Sequence, residues 1–287
     1  MLFKNICLGI TFLAATTVGI VGNFFFIFHI LNVFADHKMS SLILLFIQLS
    51  LVNSTMLLSK GVPQTLQSFG WNYFLDDVGC KVVFYLCKVS EGLSISLTCL
   101  LCTFQAITIS PSNSRWAKLK MKITVKPFFL SCWVLNLLIE IPVPISVRGP
   151  ENSSNFTNAF DFVFCTSKHI MNIYVIITTL RNVLCLGLMV LASGYMVLLL
   201  LKHHQHVQHI QSTKLSPRRQ PEIRATQTIL LLMSSYVSFY SLPSIFALFL
   251  SYFDQKSPWM LSTSIFLSLC YPTISPLVLI PRALRIP

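Results

Sequence analysis

Residues 5–35 read NICLGITFLAATTVGIVGNFFFIFHILNVFA, and between Lys4 and Asp36 there is no Asp, Glu, Lys or Arg. About 20 apolar residues cross the hydrocarbon core of a bilayer as a helix, so this run is long enough to span one. It is also too long for the apolar core of a secretory signal and lacks a small-residue cleavage site, so the expectation is a signal anchor that doubles as the first helix. The same reading applies further along the chain. Charge-poor stretches run from Met39 to Ser59, Gly92 to Ser114, Pro127 to Ile139, Ala225 to Phe253 and Ser257 to Pro281, and Arg181 lies between apolar runs on both sides. With edges trimmed, seven membrane helices are predicted near 6–33, 40–67, 79–110, 124–147, 170–201, 225–252 and 258–280. Glu140, Pro142 and Pro144 interrupt the fourth, and Arg181 sits inside the fifth. The prediction is an all-α bundle forming one domain over 1–287, without internal repeats, because a backbone in lipid must satisfy its own hydrogen bonds.

Composition supports the spans. The chain of 287 residues is 54% hydrophobic and 10% charged, with a mean hydropathy of +0.71. A soluble domain carries roughly 25% charged residues, so a soluble enzyme, a secreted disulfide domain and a nucleic-acid binder are all disfavoured. The net charge of +12 then reports which loops face the cytoplasm. Loop 111–126 holds Arg115, Lys118, Lys120, Lys122 and Lys126 with no acid. Loop 202–224 holds Lys202, Lys214, Arg218, Arg219 and Arg224 against Glu222, and Arg282 and Arg285 follow the last helix. Loop 69–78 instead carries Asp76 and Asp77, and loop 148–168 balances Arg148 and Lys168 against Glu151 and Asp161. The positive-inside rule therefore predicts an extracellular amino terminus. Asn152-Ser153-Ser154 and Asn155-Phe156-Thr157, two glycosylation acceptors, fall in a loop assigned outside; Asn53-Ser54-Thr55 lies within the second helix, out of the transferase's reach. Trp71 and Trp259 fall at the predicted outer interface.

Of nine cysteines, most lie at membrane depth, where a thiol behaves as a small hydrophobe. Cys80 and Cys165 are the two on the oxidising side, where a disulfide persists; a bridge would tie the long loop over the bundle mouth, and two unpaired thiols are the alternative. His203, His204, His206 and His209 cluster in a predicted cytoplasmic loop and read as a solvated basic segment; no metal site and no cofactor are expected.

An ionisable group at the helix centre costs about 2.5–3.5 kcal/mol on insertion scales, so each needs a partner or a wet cavity. Lys88 and Glu91 are three residues apart on one helical face, which continues through Ser94, Thr98, Cys102 and Gln105 and must face the bundle interior. Lys88, Glu91 and Ser94, with Arg181, are candidates to line a ligand pocket. The competing reading is that Lys88 and Glu91 only neutralise each other. For Arg181, Glu91 and Glu140 are the possible partners. Pro243, Pro272 and Pro276 each remove a backbone hydrogen bond and mark either hinges or static kinks. His29 reads as a satisfied or interface-facing histidine.

Seven helices, an external amino terminus and Cys80 with Cys165 resemble the G-protein-coupled receptors, which are rhodopsin-like bundles. Specific strings narrow this: Lys60-Gly61-Val62-Pro63-Gln64-Thr65; Phe104-Gln105-Ala106-Ile107-Thr108-Ile109-Ser110-Pro111, followed by Asn113-Ser114-Arg115-Trp116-Ala117; His206-Val207-Gln208-His209-Ile210; Leu215-Ser216-Pro217-Arg218; Arg224-Ala225-Thr226-Gln227; Val237-Ser238-Phe239-Tyr240; and Tyr271-Pro272-Thr273-Ile274-Ser275-Pro276. Together they resemble the vomeronasal type-1 receptors, a pheromone receptor family, from the first helix to the seventh. The resemblance implies a multi-pass plasma-membrane receptor of vomeronasal neurons that binds small pheromones or odorants and activates an inhibitory-type heterotrimeric G protein. It also implies that the usual Asp-Arg-Tyr site falls on Phe104-Gln105-Ala106, that Ser275-Pro276-Leu277-Val278-Leu279 replaces Asn-Pro-x-x-Tyr, and that Asn53 takes the second-helix aspartate position while Gly22-Asn23 is retained. Gln105 is then the candidate activation contact, and Arg115, Lys118, Arg218, Arg219 and Arg224 the candidates facing the G protein. Glu91 stands where the family usually carries a base. The tail ends at Pro287, and little room for a tail helix is expected.

A small transporter or channel is the alternative from another class, but repeated halves and a broken-helix midplane site are not apparent. An intramembrane enzyme is disfavoured, since His-Glu-x-x-His, Gly-x-Ser-x-Gly and paired membrane aspartates are all missing from the sequence. A bitter taste receptor shares the architecture but disagrees with the quoted strings.

Overall fold

The computed structural model describes residues 2–33, 41–71, 74–110, 125–149, 160–162, 165–167, 172–209, 227, 230–239 and 258–283. Helix α1 covers Leu2–Val33, α2 Ser41–Met56, α3 Val62–Ser68, α4 Asp77–Ile109, α5 Val125–Ile139, α6 Pro142–Ser146 and α7 Asn172–His209. Helix α8 is the short apolar Leu230–Phe239, and α9 is Pro258–Ala283. Among the described residues six helices are long and apolar enough to cross a membrane. The predicted sixth span, 225–252, is represented by α8, and the rest of it, Pro243 included, lies outside the described residues.

The second span is not one regular helix. Between α2 and α3 the chain makes a π-turn over Leu57–Gly61, with Pro63 two residues after its end. Proline lacks the N–H that would bind the carbonyl four residues back, and a wide turn accommodates that loss. The span ends where Gly70, at φ +88°, donates to Gln67 O (2.9 Å) and Trp71 N donates to Leu66 O (3.0 Å). These are the two bonds of a Schellman stop, whose left-handed residue favours glycine.

Helix α4 begins at Asp76, whose carboxylate accepts from Gly79 N at 2.7 Å, an N-cap. It is the central shaft, far more buried than the α5–α6 span or α7. The predicted interior stripe is indeed inside, with Ser94, Thr98, Cys102 and Gln105 all buried. Leu93, Leu97 and Leu101 pack with Met189 and Met196 of α7, Leu232 and Tyr236 of α8, and Tyr271 of α9. The peripheral helices turn apolar side chains outward, among them Phe28, Leu130, Leu138, Leu184 and Leu191. In water such a surface would aggregate; in lipid it is the solvated face.

The fourth span breaks at Glu140–Ile141, and α6 restarts with Pro142 in its first turn, where a missing N–H costs nothing. A small antiparallel sheet, which the helical reading did not anticipate, follows: β1 (Val147–Arg148), β2 (Phe160–Phe162) and β3 (Cys165–Ser167), in the order β1-β3-β2. Val147 pairs with Ser167 and Phe162 with Cys165. A disulfide joins Cys80 of α4 to Cys165, with Cα atoms 6.0 Å apart, and both cysteines are buried with Val143, Val147 and Tyr174. Gly149 N also donates to Asp77 Oδ1 (3.0 Å), so the loop is fastened to the first turns of α4.

The histidine cluster does not sit in a loop. His203, His204, His206 and His209 belong to α7, which continues to His209 rather than ending near 201. Leu198–Leu201, Lys202 and the intervening Gln residues are good helix formers and carry the helix past its apolar part.

Candidate functional site: two charged clusters and a neutral core on α4

The first cluster joins α2–α3 to α4. Glu91 accepts from Lys60 Nζ at 2.7 Å and from Lys88 Nζ at 2.9 Å. Lys88 reaches it along the same helix face; Lys60 reaches it because it sits on the π-turn. The side chains of Lys60 and Glu91 are each 20% exposed and that of Lys88 43%. Two cations surround one carboxylate, leaving a formal charge of +1. In the sequence Lys60 stands out only as part of a string; the pointer to it is Pro63, which marks an irregular turn in an otherwise apolar span.

The second cluster joins α4, α5 and α7. Arg181 Nη1 donates to Glu140 Oε1 (2.7 Å) and to Asn136 Oδ1 (3.0 Å). Tyr174 donates its hydroxyl to Glu140 Oε2 (2.6 Å), and Asn136 Nδ2 donates to Ser96 Oγ (3.1 Å). Of the two candidate partners for Arg181, Glu140 is the one engaged. The side chain of Glu140 is 1% exposed and that of Arg181 13%, and the charges balance. This cluster needs Gly92. A Cβ there would fall on Asn136 Oδ1 and Arg181 Nη1, and within 2.9 Å of Arg181 Cζ.

Beside these clusters, and reaching toward the Ser110 end of α4, lies a neutral network. Asn53 Nδ2 donates to Ser275 Oγ (2.8 Å), and Ser94 Oγ to Asn53 Oδ1 (3.4 Å). The hydroxyls of Thr98 and Tyr271 are 3.0 Å apart. Pro276 cannot donate to Pro272 O four residues back; Asn23 Nδ2 donates to that carbonyl instead, at 2.9 Å. Ser94 is thus fully buried in the core network, apart from Lys88 and Glu91, with which helical spacing groups it. Asn53, a nominal glycosylation acceptor, is a buried core residue.

At the far end of α4, Gln105 is buried, and the hydroxyls of Ser110 and Tyr195 are 2.9 Å apart. Arg115, Lys118, Arg218, Arg219 and Arg224, and the acceptors Asn152 and Asn155, lie outside the described residues. Among the described residues no group of three or more His, Cys, Asp or Glu side chains could hold a metal ion.

This architecture, a long central helix disulfide-bonded to a loop and surrounded by apolar helices, is the fold of the rhodopsin-type G-protein-coupled receptors. Squid rhodopsin superposes with a TM-score of 0.73 over 97% of this chain and 81% of its own, at 15% sequence identity. The sequence defines the family within that class. Residues 6–287 match the vomeronasal organ pheromone receptor family, and the chain belongs to it. Vomeronasal type-1 receptor 3 of Homo sapiens is 41% identical over 100% of this chain and 94% of its own length. Vomeronasal type-1 receptor 4 of Homo sapiens is 42% identical over 93% and 91%. The olfactory receptor class A-like protein 1 of Danio rerio is 28% identical over 95% and 88%. The chain is therefore a multi-pass membrane receptor of the chemosensory G-protein-coupled class and not an enzyme, one that couples a ligand to a G protein; nothing found favours a transporter, a channel or a bitter taste receptor.

Proposed function

We propose that this receptor binds small semiochemicals at the Lys60–Glu91–Lys88 cluster and activates an inhibitory-type heterotrimeric G protein at the Ser110 end of α4. The observation that carries the ligand reading is the unequal count at this cluster: two ammonium groups on one carboxylate, with 43% of the Lys88 side chain still exposed. A buried ion pair that served only to hold helices would be balanced and closed. An exposed ammonium with donors to spare instead selects ligands presenting a negative charge or hydrogen-bond acceptors. Arg181 acts behind this pocket as a positioning residue, fixing α7 against α4 and α5, and Ser94 transmits through the core network to Asn53. Lys88 and Glu91 lie about 12 and about 16 Å along α4 from Cys80, at 1.5 Å per residue.

The distribution of Lys and Arg supports an extracellular amino terminus, which puts the Cys80 end outside, Asn152 and Asn155 in reach of glycosylation, and Gln105, Arg115, Lys118, Arg218, Arg219 and Arg224 toward the G protein. The test is nucleotide exchange on an inhibitory-type G protein, in membranes where glycosylated receptor at the cell surface has been verified, with pooled volatile and steroid-like extracts as the challenge. Stimulated exchange that is lost in Cys80→Ser is expected. Absence of exchange from well-displayed receptor, across the pool and across G-protein types, would contradict the reading.

A further inference from the structure

The π-turn over Leu57–Gly61 touches more than the charged cluster. Lys60 binds Glu91 of α4 at 2.7 Å. Leu57 is fully buried, with Phe12 of α1 and with Ile265 and Leu269 of α9. Gly19 of α1 makes room for it, since a Cβ there would lie 2.6 Å from Leu57 Cδ1 and 3.0 Å from Thr273 Oγ1. Thr273 in turn donates to Ala15 O at 3.1 Å, tying α9 to α1 beside Leu57. Gly61, the last residue of the turn, packs its backbone against α1, where a Cβ would overlap the hydroxyl of Thr16. Thr16 behaves unlike its counterparts. Thr11, Thr65 and Thr98 each donate to the carbonyl four residues back, the usual outlet for a helical threonine. The Thr16 hydroxyl is buried and, among the described residues, has no hydrogen-bond partner. A buried polar group left so is costly and calls for an explanation.

We infer that the π-turn is a two-register element that carries ligand occupancy at Lys60 to α1 and α9, with Leu57 and Thr16 as the residues through which it acts. The bond from Lys60 to Glu91 holds the turn wide. A ligand that competes with Glu91 for the Lys60 ammonium removes that restraint, and the turn tightens toward α-helical register. Losing one residue from a turn rotates the chain beyond it by about 100°, so Leu57 and Gly61, at its two ends, change their seats on α1 and α9. Pro63 withholds an N–H from the narrower register, which keeps the wide one at rest. The Thr16 hydroxyl, a donor without an acceptor beside Gly61, offsets part of that loss by bonding the repositioned backbone. Leu57 meanwhile shifts against Leu269 and Thr273. Thr273 follows Pro272, whose carbonyl accepts from Asn23, so the displacement reaches the neutral core. Wide turns inside helices recur at functional sites, and packed interfaces switch between discrete arrangements rather than deforming smoothly. The inference rests on the proposed ligand site for its trigger; the change of register belongs to the turn itself.

The experiment uses neither ligand nor G protein, so its failure is distinct from a failure of the ligand reading. Full-length receptor in lipid nanodiscs is compared with variants by hydrogen–deuterium exchange mass spectrometry. Rates are referred to residues 93–102 of α4, whose exchange reports global opening, so a variant that folds poorly does not mimic the effect. Lys60→Met keeps an apolar stem and leaves Lys88 and Glu91 as a balanced pair. In it, amides of 57–62 and of 265–273 are expected to exchange roughly tenfold faster, the factor for losing a hydrogen bond to a charged group. Lys88→Met takes the same charge from Glu91 but none from the turn, and both segments are expected to keep the wild-type rate. Thr16→Val deletes the hydroxyl at nearly constant shape; added to Lys60→Met, it is expected to return both segments toward the wild-type rate, because the narrow register loses its extra bond. Wild-type exchange of both segments in Lys60→Met would overturn the inference. So would equal acceleration by Lys60→Met and Lys88→Met, or acceleration confined to 57–62 with α9 unmoved.

Discussion

At Arg181 the charges balance: one guanidinium and one carboxylate, with an asparagine accepting from the first and a tyrosine donating to the second. At Lys60 and Lys88 they do not, and Lys88 keeps nearly half of its surface. Both clusters hang on the same stretch of α4, on neighbouring residues Glu91 and Gly92, yet one is closed and the other open. The difference teaches how ionisable groups at membrane depth divide their work. A satisfied, buried pair fixes a helix in place, because breaking it leaves a stranded charge. An accessible cluster with one positive charge in excess is where we propose that the ligand binds.

The largest effect expected from this comparison is on the closed cluster. Glu140→Ala leaves Arg181 with a buried charge and no counter-ion, a change that costs about 3–5 kcal/mol where a buried pair loses one member. Surface receptor, measured by antibody labelling of intact cells, should fall to near background. Normal display of Glu140→Ala would erase the distinction between the clusters. Next comes Gly92→Ala, which drives a methyl group into Asn136 and Arg181; overpacking of this kind costs roughly 1–3 kcal/mol. A lowered Tm in purified receptor is expected, while Gly187→Ala, with nothing within 4 Å of the new methyl, leaves Tm unchanged.

For the open cluster the order of effects reverses. Glu91→Gln removes the charge that holds Lys60 and Lys88 together, and should shift the concentration of extract giving half-maximal response by about tenfold, or about 1.4 kcal/mol, with surface level unchanged. Loss of display without a shift in response would assign Glu91 to structure. The smallest effect is expected in the neutral core, where Tyr271→Phe deletes a hydroxyl 3.0 Å from that of Thr98. A buried hydrogen bond contributes about 1 kcal/mol net, visible as a modest drop in Tm.

The spans were legible because lipid imposes a rule that composition reveals directly. Six of the expected spans, the interior stripe from Ser94 to Gln105 and the class of receptor all follow from where charge is missing and from the quoted strings. Arg181 was legible as a residue in need of a partner, and Asn136 and Glu140, one helical turn apart on one face, both bind it; periodicity alone does not say whether Glu91 or Glu140 stands at its level. Lys60 was not legible as a partner of Glu91 because only the π-turn brings it there, and a π-turn is a local response to Pro63 rather than a pattern of hydrophobicity. Helical periodicity alone groups Ser94 with Lys88 and Glu91. Periodicity places side chains on one face, but it does not say at which level the bundle closes over them, and Ser94 lies below that level, against Asn53.

Whether the open cluster receives the ligand is tested most directly by comparing wild type with Lys88→Gln in stimulated nucleotide exchange on an inhibitory-type G protein, at matched surface levels and with the same pooled extract. Gln keeps much of the side chain's length and its ability to donate, but removes the spare charge. Stimulated exchange by the wild type is expected, with a weakened response by the variant at every extract concentration below saturation. Equal responses from the two receptors would contradict a ligand site at Lys88 and place the ligand elsewhere in the bundle.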